Sequence, residues 1–470
     1  MEPQIESQIE TQSETKASQA IARKPTKVNL IRFAFPTILS MIIMSTFGIV
    51  DGIFVSRLID PFALGAVGLV WPFMSFVMAI GFMLGVGGNA LIAKKIGEGK
   101  EREGREDFSL IIIIAFFASV AVSMIGFIAP ELILNILGVN DYMHAMAIEY
   151  MQPFIIFLPA AVLGMVMQQF LITAGKAHYS AVMSLAAGVL SASLNYVFIY
   201  LMDWGLRGAA LATSAGMMIP VIVGLTYFTF ARRGNLYFVK PRMSIKAFKA
   251  IGRSCVNGAS EMVTSLSMSI TAVLMNNVLM RLDPYGMSVG ASAIMWAGMG
   301  IFGSMFIGYS SGVAPIISYN YGKGDRVYLS RAFRNSLRLV GVLAVLAAVL
   351  AFVSIDLLLW IYDVPRYSPM HEMARNGYRF IVGAFLLMGF NGFGTMFFTA
   401  LNNGVVSSIM SLFNGFLFYV ALLYPLSNRF GINGVWAAVP VAEFLQIFVT
   451  LFFLVKLAGR YGYAGRASKV

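Results

Sequence analysis

Residues 87–100 read GGNALIAKKIGEGK and residues 312–325 read GVAPIISYNYGKGD, so that Gly87, Gly97 and Gly99 recur as Gly312, Gly322 and Gly324, each 225 positions on. The register holds downstream. Pro130 and Glu131 before LILNIL stand opposite Ile355 and Asp356 before LLLWIY at the same offset. Met183, Ser184, Leu185 and Gly188 match Met410, Ser411, Leu412 and Gly415 at 227, and Gly205 and Gly208 match Gly431 and Gly434 at 226. A nearly constant offset across most of each half marks a duplicated unit, because shared composition alone would not hold register.

The unit is made of long apolar runs, such as residues 108–129 and 339–362, the latter interrupted only by Asp356. Runs of this length match the hydrocarbon thickness of a bilayer. The whole chain is 58% hydrophobic and 12% charged, whereas a soluble domain carries roughly a quarter charged residues. Apolar runs bounded by charge, Gly or Pro predict spans near 30–55, 62–88, 108–130, 144–174, 179–202 and 207–231, then 251–280, 287–318, 333–362, 374–401, 405–428 and 433–458. The expected fold is an all-α integral membrane protein, its twelve transmembrane helices forming two six-helix lobes. An even number of spans per half gives both copies one orientation, related by a pseudo-two-fold axis along the membrane normal. The division is a polar, disordered cytoplasmic tail at 1–26, an N-terminal lobe at 27–231, a cytoplasmic linker at 232–250, and a C-terminal lobe with a short tail at 251–470.

The net charge of +12 suggests nucleic acid only if the basic residues share a surface in water, and here they lie between apolar spans. They read instead as topology signals. Of the 34 Lys and Arg, 27 fall on the side of the termini; Arg57, Arg207, Arg281, Arg366, Arg375, Arg379 and Arg429 fall on the other. The positive-inside rule then places both termini in the cytoplasm of a bacterial plasma or inner membrane protein. Residues 1–26 lack the apolar core and cleavage site of a signal peptide. One cysteine, Cys255, excludes an intramolecular disulfide, and the three histidines (His144, His178, His371) fall near the ends of apolar runs.

Ionisable side chains inside a span cost roughly 2.5–3.5 kcal/mol on insertion scales, so each needs a partner, water or a function. Asp51 lies in the outer third of the first span, Glu261 about three turns into the seventh, and Glu443 about as far into the twelfth from the other side. The functional reading makes these three carboxylates the sites of ion coupling, with a cationic substrate competing for one of them; the plain reading is a structural hydrogen bond. Taking a carboxyl group out of water favours its neutral form, which suits proton exchange. Glu131, Asp356 and Glu149 read as residues of the outer ends. The 30 Met and 38 Phe suit an adaptable binding surface, although most must face lipid or neighbouring helices. GVGGN at 85–89 has no Lys-Ser or Lys-Thr after it and reads as packing glycine, so no phosphate loop, metal site or cofactor site is expected. Pro36 is placed to bend the first span below Asp51.

Five stretches carry a family resemblance: VDGIFVSRL at 50–58, GLRGAALAT at 205–213, GASEMVTSLS at 258–267, SSGVAPIISYNYGKGD at 310–325 and FTALNNG at 398–404. With them the chain resembles the multidrug and toxic compound extrusion (MATE) family, in the branch that includes the MepA-like and DinF-like transporters, over nearly all of its length after the tail. The resemblance implies a two-lobed, V-shaped exporter of organic cations, driven by protons or sodium and without ATP hydrolysis. In that branch the first-span acid corresponds to Asp51, and an N-lobe polar cluster corresponds to Ser191, Asn195 and Thr213. Thr213 fits the pattern, whereas Ser191 stands where an Asn is expected and Asn195 where an Asp is expected. Asp51 is therefore the one acid expected in the N-lobe cluster, and Glu261 is expected to carry more of the coupling.

Two similar lobes that rock against each other expose a midplane site to either side in turn, so the architecture itself favours transport. The leading expectation is a monomeric secondary multidrug efflux antiporter taking small organic cations, in contact with membrane lipid and not with nucleic acid. A flippase for a lipid-linked precursor shares the architecture but should carry basic residues in its cavity, and none of the Lys or Arg falls deep in a span. A membrane enzyme would need a clustered catalytic set, which the sequence does not offer.

Overall fold

The computed structural model describes residues 25–463, apart from 60, 138, 140, 231–235, 242, 284–286 and 363; at 61, 62, 64, 65, 141 and 142 it describes the backbone alone. The tail expected at 1–26 lies almost wholly outside the described residues. Among the described residues, twelve helices are long and apolar enough to cross a membrane. They are α1 (Lys27–Leu58), α2 (Ala66–Gly97), α3 (Glu101–Ile128), α4 (Met143–Thr173), α5 (Ala177–Leu201) and α6 (Gly205–Phe230), then α7 (Ile245–Leu282), α8 (Met287–Lys323), α9 (Arg326–Ile361), α10 (Pro369–Ala400), α11 (Gly404–Phe430) and α12 (Ile432–Lys456).

Several helices outrun their apolar runs, because local chemistry starts them in polar sequence. Ser244 caps α7 by accepting the amide of Ala247 at 3.2 Å, so residues 245–250, expected in the linker, are the first turns of the seventh helix. Asp325 caps α9 in the same way through the amide of Tyr328 at 2.8 Å. In α3 the pairs Arg105–Glu101 at 3.2 Å and Arg102–Glu106 at 3.3 Å, each one turn apart, support a polar start seven residues ahead of the expected one at 108.

The pseudo-two-fold relation is visible in the packing. In the first lobe α2 packs on α4, α4 on α6, α6 on α5, and α5 on α1; in the second, α8 packs on α10, α10 on α12, α12 on α11, and α11 on α7. The lobes meet where α1 lies against α8 and α7 against α2, with α2 and α8 crossing on the axis between them.

The glycines of the duplicated motif make that crossing. A Cβ on Gly97 would collide with the carbonyl of Tyr319, and one on Gly322 with the carbonyl of Lys94, which occupy equivalent places in the two copies. On the flanks, Gly87 and Gly258 abut the backbones of Ser254 and Met83, while Gly312 and Gly308 abut those of Ala34 and Ile38. Small residues let backbones approach closely where no hydrophobic force separates helix from lipid. All these contacts lie in the helix halves nearer the two termini, the end that also holds most of the Lys and Arg; we call it the basic end. A hydrogen bond from Asn402 Nδ2 to the carbonyl of Ala90 at 3.2 Å adds to this closure.

The duplication reaches past the spans. After α6, Phe238 stacks on Phe108 and packs on Phe228, and its amide donates to the carbonyl of Phe228 at 3.1 Å. After α12, Tyr463 packs on Phe333 and Phe397, and its hydroxyl donates to the carbonyl of Leu454 at 2.7 Å. Phe108 and Phe333, like Phe238 and Tyr463, stand 225 apart. Residues 236–241 of the linker thus pack as an element of the first lobe, held further by Arg105, which donates to the Tyr237 hydroxyl at 2.8 Å.

Candidate functional site

Asp51 sits half-buried on α1, at the face turned to α5 and α6. Ser191 and Asn195 are one turn apart on α5, which puts both on one helix face. Ser191 Oγ donates to Asp51 Oδ1 at 3.1 Å, and Asn195 Nδ2 donates to the same oxygen at 2.8 Å. Thr213 Oγ1, from α6, reaches Asp51 Oδ2 at 3.3 Å. All three residues expected around Asp51 therefore converge on its carboxylate, including the two that depart from the family pattern. Asn195 is fully buried, immediately precedes a π-helical turn at Tyr196–Leu201, and leaves its own Oδ1 without a donor among the described residues. The cluster concentrates hard oxygen atoms around one carboxylate, a donor set that accepts a proton or a small hard cation.

The two acids of the second lobe have different surroundings. Glu443 of α12 is 7% exposed, and Asn391 Nδ2 of α10 donates to its Oε2 at 2.7 Å. Thr450 Oγ1 in turn donates to Asn391 Oδ1 at 2.9 Å, so a buried amide is held between two α12 side chains. Asn391 begins a polar stripe along α10: Thr395 donates to its carbonyl at 3.1 Å, and Thr399 meets Ser260 Oγ of α7 at 3.2 Å. Asn257 Nδ2 donates to the carbonyl of Thr399 at 2.8 Å. Glu261, the residue after Ser260, is partly exposed and has no hydrogen-bond or ion-pair partner among the described residues. It lies one turn beyond Gly258, the last glycine of α7 to abut the backbone of α2. No hydrogen bond joins Asp51, Glu261 and Glu443 to one another among the described residues, so the three acids form separate stations.

Asn391, Thr395, Thr399 and Thr450 were missed by the sequence reading, which in the second lobe followed charge alone. The spacing was informative: polar residues at 391, 395 and 399 recur every four positions in an apolar span, and 443, 446 and 450 follow one face of the next. Glu131 and Asp356 lie at the helix ends away from the basic end. Glu131 pairs with His144, and Asp356 pairs with Arg375 at 3.7 Å. No group of three or more His, Cys, Asp or Glu with metal-binding geometry occurs among the described residues.

The MatE family model matches the chain twice, over residues 36–197 and 261–424, one match in each lobe. The multidrug export protein MepA of Staphylococcus saprophyticus is 22% identical over 439 residues, covering 92% of this chain and 94% of that protein. MepA of Staphylococcus aureus is 20% identical, with 93% and 95% covered. Among solved structures, an outward-facing multidrug resistance MATE family transporter superposes with a TM-score of 0.87 at 20% identity, over 95% of this chain and 98% of that one. A MATE structure in the straight conformation superposes with the same TM-score, 0.87, at 20% identity, over 95% and 99%.

Proposed function

The chain belongs to the MatE family, and from that premise we propose that it is a secondary active multidrug exporter, exchanging protons or sodium ions for small organic cations by alternating access. It is a multi-pass membrane protein whose relatives are named as multidrug export proteins. The proposed placement has both termini in the cytoplasm, following the charge asymmetry of the connections. In that placement the basic end faces the cytoplasm and the glycine seam closes the cytoplasmic route.

The observation that carries the reading is the convergence of Ser191, Asn195 and Thr213 on Asp51 from two other helices of the same lobe. A carboxylate held by three neutral donors keeps its position whether or not it carries a proton, so binding and release of the coupling ion alters the charge without dismantling the cluster. Loss of that charge removes the attraction for a cationic substrate, which is the exchange that antiport requires. Glu261, without a partner among the described residues and one turn beyond Gly258, is the second exchanging group in this scheme. Glu443, clasped by Asn391, is the third and the most enclosed. The ion and the cargo must occupy the binding-competent state alternately, because a ligand that favoured both orientations equally would drive nothing.

The test is efflux of a fluorescent organic cation from proteoliposomes, with a proton gradient and a sodium gradient imposed separately. Export driven by one of the two gradients and lost in Asp51→Asn is the expected result. Export that persists without either gradient, or that proceeds at full rate in Asp51→Asn, overturns the proposal.

A further inference from the structure

The duplication supplies an internal reference for surface charge at the basic end. In the first copy the connection from α2 to α3 carries Lys94, Lys95, Lys100, Arg102 and Arg105, and each is paired with a nearby acid: Lys95 with Asp107 at 2.6 Å and Glu103 at 3.2 Å, Lys94 and Lys100 with Glu98, Arg102 with Glu106, and Arg105 with Glu101. The second copy is built differently. Residues 323–338 carry Lys323, Arg326, Arg331, Arg334 and Arg338 against a single acid, Asp325, whose carboxylate is engaged in capping α9. At the places of Glu101 and Glu106 stand Arg326 and Arg331. Among the described residues, none of these five cations lies within ion-pair distance of a carboxylate.

The geometry gives the charges a direction. Arg331, Arg334 and Arg338 are exposed and recur at three- and four-residue intervals, so they form one face of α9. The same face continues into the apolar span as Val342, Val345, Val349 and Val353, each more than half exposed. The start of α1 lies alongside, because Asn335 Nδ2 donates to the carbonyl of Pro25 at 2.6 Å. It adds exposed Lys27 and Arg32, followed along α1 by exposed Phe35 and Leu39.

A surface whose end is cationic and whose length is apolar matches one molecule in two parts. Guanidinium groups pair with phosphate through charge-assisted hydrogen bonds, and the valine stripe matches acyl chains. An acidic soluble partner would reach the arginines and leave the stripe uncovered. We propose that the basic ends of α9 and α1 form a binding surface for an anionic phospholipid, its headgroup held by Arg331, Arg334 and Arg338 and its chains lying along Val342, Val345 and Val349.

The experiment is native mass spectrometry of the full-length protein, titrated with phosphatidylglycerol and, separately, with phosphatidylcholine. Phosphatidylglycerol adducts are expected to dominate. Since a basic residue near a membrane surface contributes on the order of 1 kcal/mol, each substitution Arg331→Gln, Arg334→Gln or Arg338→Gln should weaken phosphatidylglycerol binding about fivefold, and the three together on the order of a hundredfold. Arg102→Gln, in the neutralised copy, is the control that should leave binding unchanged. Equal retention of the two lipids, or a triple variant that binds as the unsubstituted protein does, overturns the proposal, and the single variants decide it if the triple fails to fold. Displacement of the lipid by millimolar inorganic phosphate would make the site one for a free anion and also overturns it. Binding that appears only after removal of residues 1–20 would assign the surface to the acidic tail instead.

Discussion

Asn195 donates its side-chain amide to Asp51 Oδ1 at 2.8 Å, so the position where the family resemblance implies a second acid supplies a neutral donor to the first. The cluster holds one carboxylate and three neutral partners. In the proposed scheme, ion exchange in the first lobe depends on Asp51 alone.

Asp51→Asn should therefore reduce gradient-driven efflux to the background of empty liposomes while leaving expression and detergent stability unchanged. Ser191→Ala and Thr213→Ala each remove one hydrogen bond of about 1 kcal/mol and should weaken apparent ion affinity only several-fold. Equal losses in all three variants would show that the cluster acts structurally and not through the charge on Asp51.

Glu261 has no partner to lose among the described residues, so Glu261→Gln is expected to leave the thermal midpoint within a degree or two and still abolish export. A large fall in the midpoint would mean that the residue serves the fold. The paired measurement, unfolding by intrinsic fluorescence and efflux on the same preparation, separates the two.

The reverse pattern is expected at Asn391. Glu443→Gln retains a carbonyl oxygen that accepts from Asn391 Nδ2, whereas Asn391→Leu leaves the buried Glu443 without its donor and Thr450 without its acceptor. Asn391→Leu should destabilise the protein by about 1.5–3 kcal/mol, and Glu443→Gln by clearly less. Thermal unfolding of the two variants side by side decides it.

At the seam, Gly97→Val and Gly322→Val would force side-chain atoms into backbone carbonyls of the opposite lobe. Both should shift the population away from the closed basic end. With Cys255 replaced by Ser, the readout is cross-linking between Ala90→Cys and Asn402→Cys, whose parent residues are joined by a hydrogen bond. Undiminished cross-linking in the valine variants would count against the seam as a gate.

Tyr463 is 1% exposed and covers the second lobe at the basic end, as the partly exposed Phe238 does the first. Tyr463→Ala should cost about 3–5 kcal/mol, the range for a buried aromatic truncated in a core, and Phe238→Ala less. Tyr463→Phe isolates the bond to Leu454 and should cost about 1 kcal/mol. A tail that merely lay on the surface would show none of these losses.

The sequence by itself determined the number of spans, their duplication and their shared orientation, because apolar length and a repeated offset are properties of the chain in one dimension. It also marked Asp51, Glu261 and Glu443, since a carboxyl group in an apolar run is conspicuous wherever the run folds. The tertiary structure decided which of those acids is held and by what. Ser191, Asn195 and Thr213 lie 140, 144 and 162 residues from Asp51 and reach it only because α1, α5 and α6 pack together. It likewise assigned the clasp on Glu443 to Asn391, 52 residues away, and turned the motif glycines from a repeat signature into the surface where the lobes touch. Contacts between distant helices depend on crossing position and depth, which no local pattern encodes.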